Sequence, residues 1–228
     1  MLIKFGSIVT DGRGKLGGQV YSKNRGGNYV RNNAVPSNPQ TSFQMASRGI
    51  LTSLSQGWSG LSQADRDAWN ASTECFQRTN AFGDLKRLSG KNLYTSLNKE
   101  LITVGASVLD EPPTPSEILA PVTISGAITD GPTFEVDVET EGDVDDGFYV
   151  IRATPAVSAG TSFVKNKLRV ISTGNSDDLE NTVDVAQDYI DRFGDPQLGQ
   201  KIFFSCYTVN TAGQRSPEVT GYAVVTAV

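Results

Sequence analysis

Glu111-Pro112-Pro113-Thr114-Pro115 places three prolines within four residues. Proline fixes φ, lacks an amide donor and pushes the preceding residue out of the helical region, so neither a helix nor a central strand continues through this stretch. The chain is divided there, and its hydrophobic spacing changes across the division. Upstream, apolar side chains recur at three- and four-residue intervals; downstream they alternate. Charge changes sign at nearly the same place. Residues 1–100 carry thirteen Lys and Arg against six Asp and Glu, a net of +7, whereas residues 101–228 carry seven against nineteen, a net of −12. Such a split suggests units that face different partners. The expected fold class is α+β and multidomain, with residues 111–119 as a stiff, extended linker.

Residues 1–35 read as a basic, glycine-rich β-arm. Gly6, Gly12, Gly14, Gly17, Gly18, Gly26 and Gly27 punctuate it, and Asp11 is its one acid. Strands are expected at Leu2–Thr10, Gln19–Ser22 and Asn28–Arg31, with turns at Asp11-Gly12 and Gly26-Gly27. So polar a segment has too little apolar area to fold alone, so a neighbouring domain or chain is expected to hold it. Arg13, Lys15, Tyr21, Lys23, Arg25, Tyr29 and Arg31 form its candidate docking surface. Cations and aromatics suit an acidic protein surface, and the same residue types suit phosphates and bases. Protein docking is the favoured reading, and nucleic acid is not an expected partner. Gly12-Arg13-Gly14-Lys15-Leu16-Gly17 has G-x-G-x-x-G spacing, but no strand–helix unit surrounds it, and turns within the arm account for it better than nucleotide binding.

Residues 36–110 read as a small helical unit. Thr41 with Gln44 fits a T-x-x-Q capping box after Pro39. Phe43, Ser47, Ile50, Leu51, Leu54 and Trp58 then follow at helical spacing. Ser62 caps a second helix that carries Trp69 inward, with Asp65 near its positive end. A third begins near Ser89, buries Leu93, Leu97, Leu101 and Val104 on one face, and stops at Gly105. The predicted helical core is Phe43, Leu51, Leu54, Trp58, Trp69, Leu93 and Leu97. Arg48 and Arg66 read as partners of loops.

Residues 120–228 alternate. Strands are expected at Val122–Ile128, Thr133–Val138, Phe148–Ala153, Lys167–Ser172, Thr182–Ala186, Lys201–Asn210 and Gly221–Val228, with a short helix near Gln187–Phe193. Seven strands separated by Gly, Asp, Asn and Pro turns suit an all-β, two-sheet antiparallel sandwich. Asp143, Asp145 and Asp146, with Glu139 and Glu141, read as a solvated hairpin tip; their spacing does not meet that of an EF-hand.

Several chemistries are excluded at the outset. The chain has no histidine, so Ser-His-Asp and Cys-His catalysis and His-ligated metals are absent. Its two cysteines, Cys75 and Cys206, cannot make an all-thiolate metal site, and both are expected to pack as small apolar side chains. No convergent carboxylate or lysine site emerges. The expectation is a non-enzyme with no cofactor and no metal. No apolar run is long enough for a membrane span, and the amino terminus lacks the apolar region of a secretory signal.

Two resemblances sharpen the reading. Gln200–Asn210, followed by Thr211-Ala212-Gly213-Gln214-Arg215-Ser216, resembles the end of a fibronectin type III module, where an alternating aromatic strand enters a polar, glycine-bearing turn. It implies an Ig/fibronectin III-like sandwich used for display or contact. The order Gly14–Tyr21, Gly26–Arg31, Val35–Thr41, Gln44, Arg48, Trp58, Leu61-Ser62, Arg66, Trp69, Ser89–Tyr94 and Ser96–Asn98 is similar to an amino-terminal region of tailed-phage virion proteins and their prophage relatives. This implies a structural virion protein, assembled in the host cytoplasm, and carries over no catalytic residues. An auxiliary or decoration protein of the capsid is the expected role, with other virion proteins, the major capsid protein above all, as partners and homo-oligomerisation on the particle. A tail, neck or ring component is the alternative, and a bacterial surface-adhesion module the more distant one. No membrane partner is expected.

Overall fold

In the computed structural model, helices and antiparallel sheets share the chain. The structure describes all residues except 10, 87, 117, 119, 130–132, 141–146, 181 and 228. Asp143, Asp145, Asp146 and Glu141 therefore lie outside the described residues.

The amino-terminal sheet comprises β1 (Gly14–Leu16), β2 (Gln19–Asn24) and β3 (Gly27–Asn32), in that order and antiparallel throughout. Gly17, at φ +56°, makes the first hairpin turn, a conformation that costs glycine nothing. The first strand lies at Gly14–Leu16 and not at the expected Leu2–Thr10. From the latter, only the start pairs: Ile3 donates to the Asn28 carbonyl at 2.9 Å, and Leu2 bridges Tyr29.

Three helices follow: α1 (Ser42–Gly60), α2 (Gln63–Ser72) and α3 (Gly90–Thr103). Thr41, Ser62 and Ser89 each accept a bond from the amide three residues on, as N-caps do. Gln44 does not complete the capping box, since its Oε1 is buried without a partner. Leu54, Leu61, Trp69, Leu93, Tyr94 and Leu97 form the core between the helices. Tyr94 stands at its centre, 5.4 Å from the Trp69 ring in an edge-on pair and 5.6 Å from Trp58, which is half-buried. Trp69 Nε1 donates to the Asp110 carbonyl at 2.7 Å, satisfying the indole inside the core.

Two predicted core residues are corrected. Phe43 is 60 % exposed and Leu51 is 51 % exposed. Helix α1 packs on α3 through the narrow stripe that includes Ile50 and Leu54. Leu51 lies about 100° round the helix from Ile50, outside the stripe, and Phe43 lies two turns before it. Cys75 is also exposed, because it sits in the turn after α2, beyond the helical core; Cys206 is buried. A hairpin not foreseen from periodicity, β4 (Arg78–Thr79) and β5 (Leu85–Lys86), joins α2 to α3.

The remainder is a sandwich. One sheet has the order β10 (Val183–Asp184), β7 (Phe134–Thr140), β6 (Pro121–Ile128); the other is β12 (Val219–Val224), β11 (Lys201–Asn210), β8 (Gly147–Ala153), β9 (Arg169–Asn175). Every named pairing is antiparallel. Three strands facing four is an Ig/fibronectin III-like arrangement. Helix α4 (Ala186–Phe193) lies between β10 and β11 in sequence. Its Tyr189 meets Phe134 at 5.3 Å between the sheets, and Phe134 meets Phe204 at 6.0 Å. The last strand ends at Val224 because the chain then crosses to the other sheet: Thr226 donates to the Ile128 carbonyl at 3.0 Å.

Alternation breaks down in β8 and β11, where consecutive residues are buried. The outer face of the four-stranded sheet is covered by the helical unit. Val150, Tyr207 and Val209 are buried there, with Val104 from the end of α3 packed against them. Tyr207 donates its hydroxyl to Glu100 at 3.2 Å. Gly213 completes the contact: a Cβ there would lie 2.6 Å from the Leu97 carbonyl oxygen, and its φ is +72°. The proline segment is tied at both ends. Asn98, fully buried, exchanges two bonds with the Leu109 backbone, and the Ser116 amide donates to Gln214 at 2.9 Å. The segment therefore follows a packed interface and does not act as a free spacer.

Two outcomes are expected. Gly213→Ala should lower unfolding free energy by about 2–4 kcal/mol, through both strain and collision with α3. Gly199→Ala shares the positive φ but has open space around it, so it should cost only about 1 kcal/mol. Urea unfolding of both variants checks the difference. Burial also keeps the phenols of Tyr94, Tyr149, Tyr189 and Tyr207 protonated above the ordinary 10.0, Tyr189 to about 12. The folded state favours their neutral forms, so this stability is complete below pH 10 and is lost as pH rises through the folded values. In an alkaline ultraviolet titration, these four of the seven tyrosines should ionise only as near-ultraviolet dichroism disappears.

Candidate docking surface

The arm has ordered strands but no buried side chain among its described residues. Its strands pair in register, and Met1 extends the ladder by exchanging bonds with Val30 at 2.9 and 3.0 Å. What the arm lacks is an apolar face against the body. It meets the body at the β4–β5 hairpin. There Lys4 Nζ donates to Asp84 at 3.1 Å and stands 5.2 Å from the centre of the Phe82 ring. The tip of that hairpin is held by Asn80, whose Oδ1 accepts the amides of Phe82 and Asp84.

Register decides which predicted docking residues act together. Lys15 faces Val20, which faces Arg31, so these three share one face, with Tyr29 two positions from Arg31 on the same side. Tyr21 and Lys23 occupy the opposite face, where Tyr21 donates to Gln19 at 3.2 Å. Arg13 precedes β1, and Arg25 sits in the β2–β3 turn. The seven residues therefore do not form one patch. Asp11 lies 3.8 Å from Arg13 and 4.0 Å from Lys23, and so offsets part of the charge on that side. Lys15 and Arg31 are exposed and have no carboxylate partner among the described residues, so the Lys15–Tyr29–Arg31 face is the more available cationic one.

The sandwich places its polar groups in structural roles. Glu218 accepts from Arg152 at 2.8 Å, Arg215 at 2.8 Å and Ser205 at 2.6 Å, while the Arg215 guanidinium stacks 3.6 Å from the centre of the Tyr207 ring. This network braces the sheet face beneath the helical unit. The buried Cys206 thiol is pushed up to about 12 by burial and is inert as a nucleophile at neutral pH. Among the described residues no group of three or more Cys, Asp or Glu could hold a metal ion, and no helix is long and apolar enough to cross a membrane.

Sequence spacing pointed to the arm's cations but missed its clasp. Asn80-Ala81-Phe82-Gly83-Asp84 carried the signal, since Asn with a glycine three residues on marks a turn held by the Asn side chain.

No family model matches the chain, and no curated protein matches it. Among solved structures it is similar to the solution structure of a fourth fibronectin type III domain from human, at 16 % identity and a TM-score of 0.31. That likeness covers 55 % of this chain and 88 % of the domain.

The clasp gives a pH-dependent expectation. The Asn80 amide and then the Lys4 ammonium hold the Asp84 carboxyl below its ordinary 3.8. The contribution is present above that value and is lost as pH falls through the lower folded one. Asp84→Asn at neutral pH should shift the amide resonances of Leu2–Phe5 and leave the global urea midpoint unchanged, as heteronuclear NMR and urea titration would report.

Proposed function

We propose that this chain is a non-enzymatic structural protein of a tailed-phage particle, anchored through its basic arm and helical unit and displaying its sandwich. The observation that carries the reading is the arm: regular strands, a cationic face at Lys15, Tyr29 and Arg31, and no apolar side buried on its own body. A segment of this kind gains its remaining contacts from another chain. The likeness of residues 14–98 to tailed-phage virion proteins supports the particle as the setting.

Within that class, an auxiliary or decoration protein on the major capsid protein is the preferred role, assembled in the host cytoplasm. The body is suited to it. Because α3 packs directly on the sandwich, the helical unit and the displayed sheet form a continuous support. On a symmetric lattice many weak arm contacts add through avidity. A neck, tail or ring position would use the same parts in fewer copies and closed symmetry.

Copy number decides between these positions. Quantitative mass spectrometry of purified particles, measured against the major capsid protein, should find hundreds of copies per particle for a lattice decoration. About a dozen copies would move the protein to the neck or tail. Absence from particles would overturn the proposal. If it is present, deleting residues 1–35 should remove it from particles while the remaining chain still folds.

A further inference from the structure

A second cationic surface lies between the amino-terminal half of α1 and strands β8 and β9 of the sandwich. Four arginines line this groove: Arg48 from α1, Arg152 and Arg169 from the sheet, and Arg192 from α4. No aspartate or glutamate lines it. Among the described residues only Arg152 of the four has a carboxylate partner, Glu218. Arg169 spends its bonds on the carbonyls of Asn166 and Leu168, and Arg48 bonds Asn38 and approaches the Met45 sulfur. Arg192 stacks on Phe43, 4.2 Å from the ring centre. Three guanidinium groups therefore converge without a counter-charge among the described residues. The first turn of α1 adds its partial positive charge, with no acidic residue to offset it.

This crowding has a cost. Burial, and then the Arg169 charge, lower the pKa of the Arg192 guanidinium, which stays charged at neutral pH. An anion in the groove offsets the repulsion from Arg169. The floor is apolar, formed by Ile50, Leu168 and Val170, and the groove has a volume of about 630 Å³. Gln44 also lines the groove.

We infer that this groove binds an acidic segment of a protein partner, its carboxylates meeting Arg48, Arg169 and Arg192 and an adjacent apolar side chain resting on Ile50 and Val170. Nucleic acid fits less well for two reasons. Phe43 is the one aromatic residue among the described residues lining the groove, and Arg192 occupies one of its faces, so the groove offers no row of aromatic rings for successive bases. The chain carries −5 overall and −12 beyond residue 100, so its wider field repels a long polyanion while a short acidic segment meets the local cations. The inference does not rest on the particle reading.

The test uses the full chain and a fluorescein-labelled peptide of about a dozen residues, Glu-Glu-Leu repeated, read by anisotropy at low and physiological salt. The paired Arg169→Gln and Arg192→Gln variant should bind about tenfold or more weakly, as should the single variant Arg48→Gln, which lies away from any core and guards against loss of fold. A Gln-Gln-Leu peptide should not bind. Four results would overturn the inference: no measurable binding of the glutamate peptide, equal binding by the groove variants, an equal loss when Lys15 and Arg31 on the arm are changed to Gln, or tighter binding of an oligothymidylate of similar length.

Discussion

The contact between the end of α3 and the outer face of the four-stranded sheet organises this molecule. A sandwich needs only its inner faces buried, and the outer face ordinarily meets water. Here Val150, Tyr207 and Val209 turn apolar surface outward, and Val104 with the last turns of α3 covers it. Covering is possible because Gly213 has no side chain where its turn meets the Leu97 backbone. Everything upstream then takes its place from that seam. Asn98 fixes the departure of the chain from the helices, Ser116 fixes its arrival at the sandwich, and the proline segment between them has little freedom left to lose.

Electrostatics follows from the same seam. The chain as a whole is acidic, yet its cations collect in two places that the packing creates. On the arm, the pleat separates Lys15, Tyr29 and Arg31 from Tyr21 and Lys23. Beside α1, docking of helix and sheet brings together arginines from three distant segments, at 48, 152–169 and 192. The acidic partner of Arg152 and Arg215, Glu218, is spent on bracing the sheet under the seam, which leaves the other guanidinium groups of the groove uncompensated.

Legibility differed by element. The caps Thr41, Ser62 and Ser89 were readable because a cap is a contact between residues three apart. The strands of the sandwich were readable because alternation needs only one buried face. The exceptions share one cause: Phe43, Leu51 and Cys75 lie on faces or turns whose burial depends on how many neighbours a helix acquires, which spacing does not encode. The centre of the helical core, Tyr94, was visible only as a residue beside Leu93. The arm's first strand was misplaced because glycine-rich segments hold few side chains to set a register.

The sequence by itself determined the division at the prolines, the change from helical to alternating spacing, the charge split, and the exclusion of histidine chemistry. These are local or compositional properties, carried by residues close together in the chain. Tertiary structure alone decided that the helical unit lies on the sandwich, that the arm's cations belong to two faces, and that Arg48, Arg169 and Arg192 converge. Those results join residues from Lys15 and Arg31 at the near end to Arg48 and Arg192 at the far end, and only packing brings such residues within reach of one another.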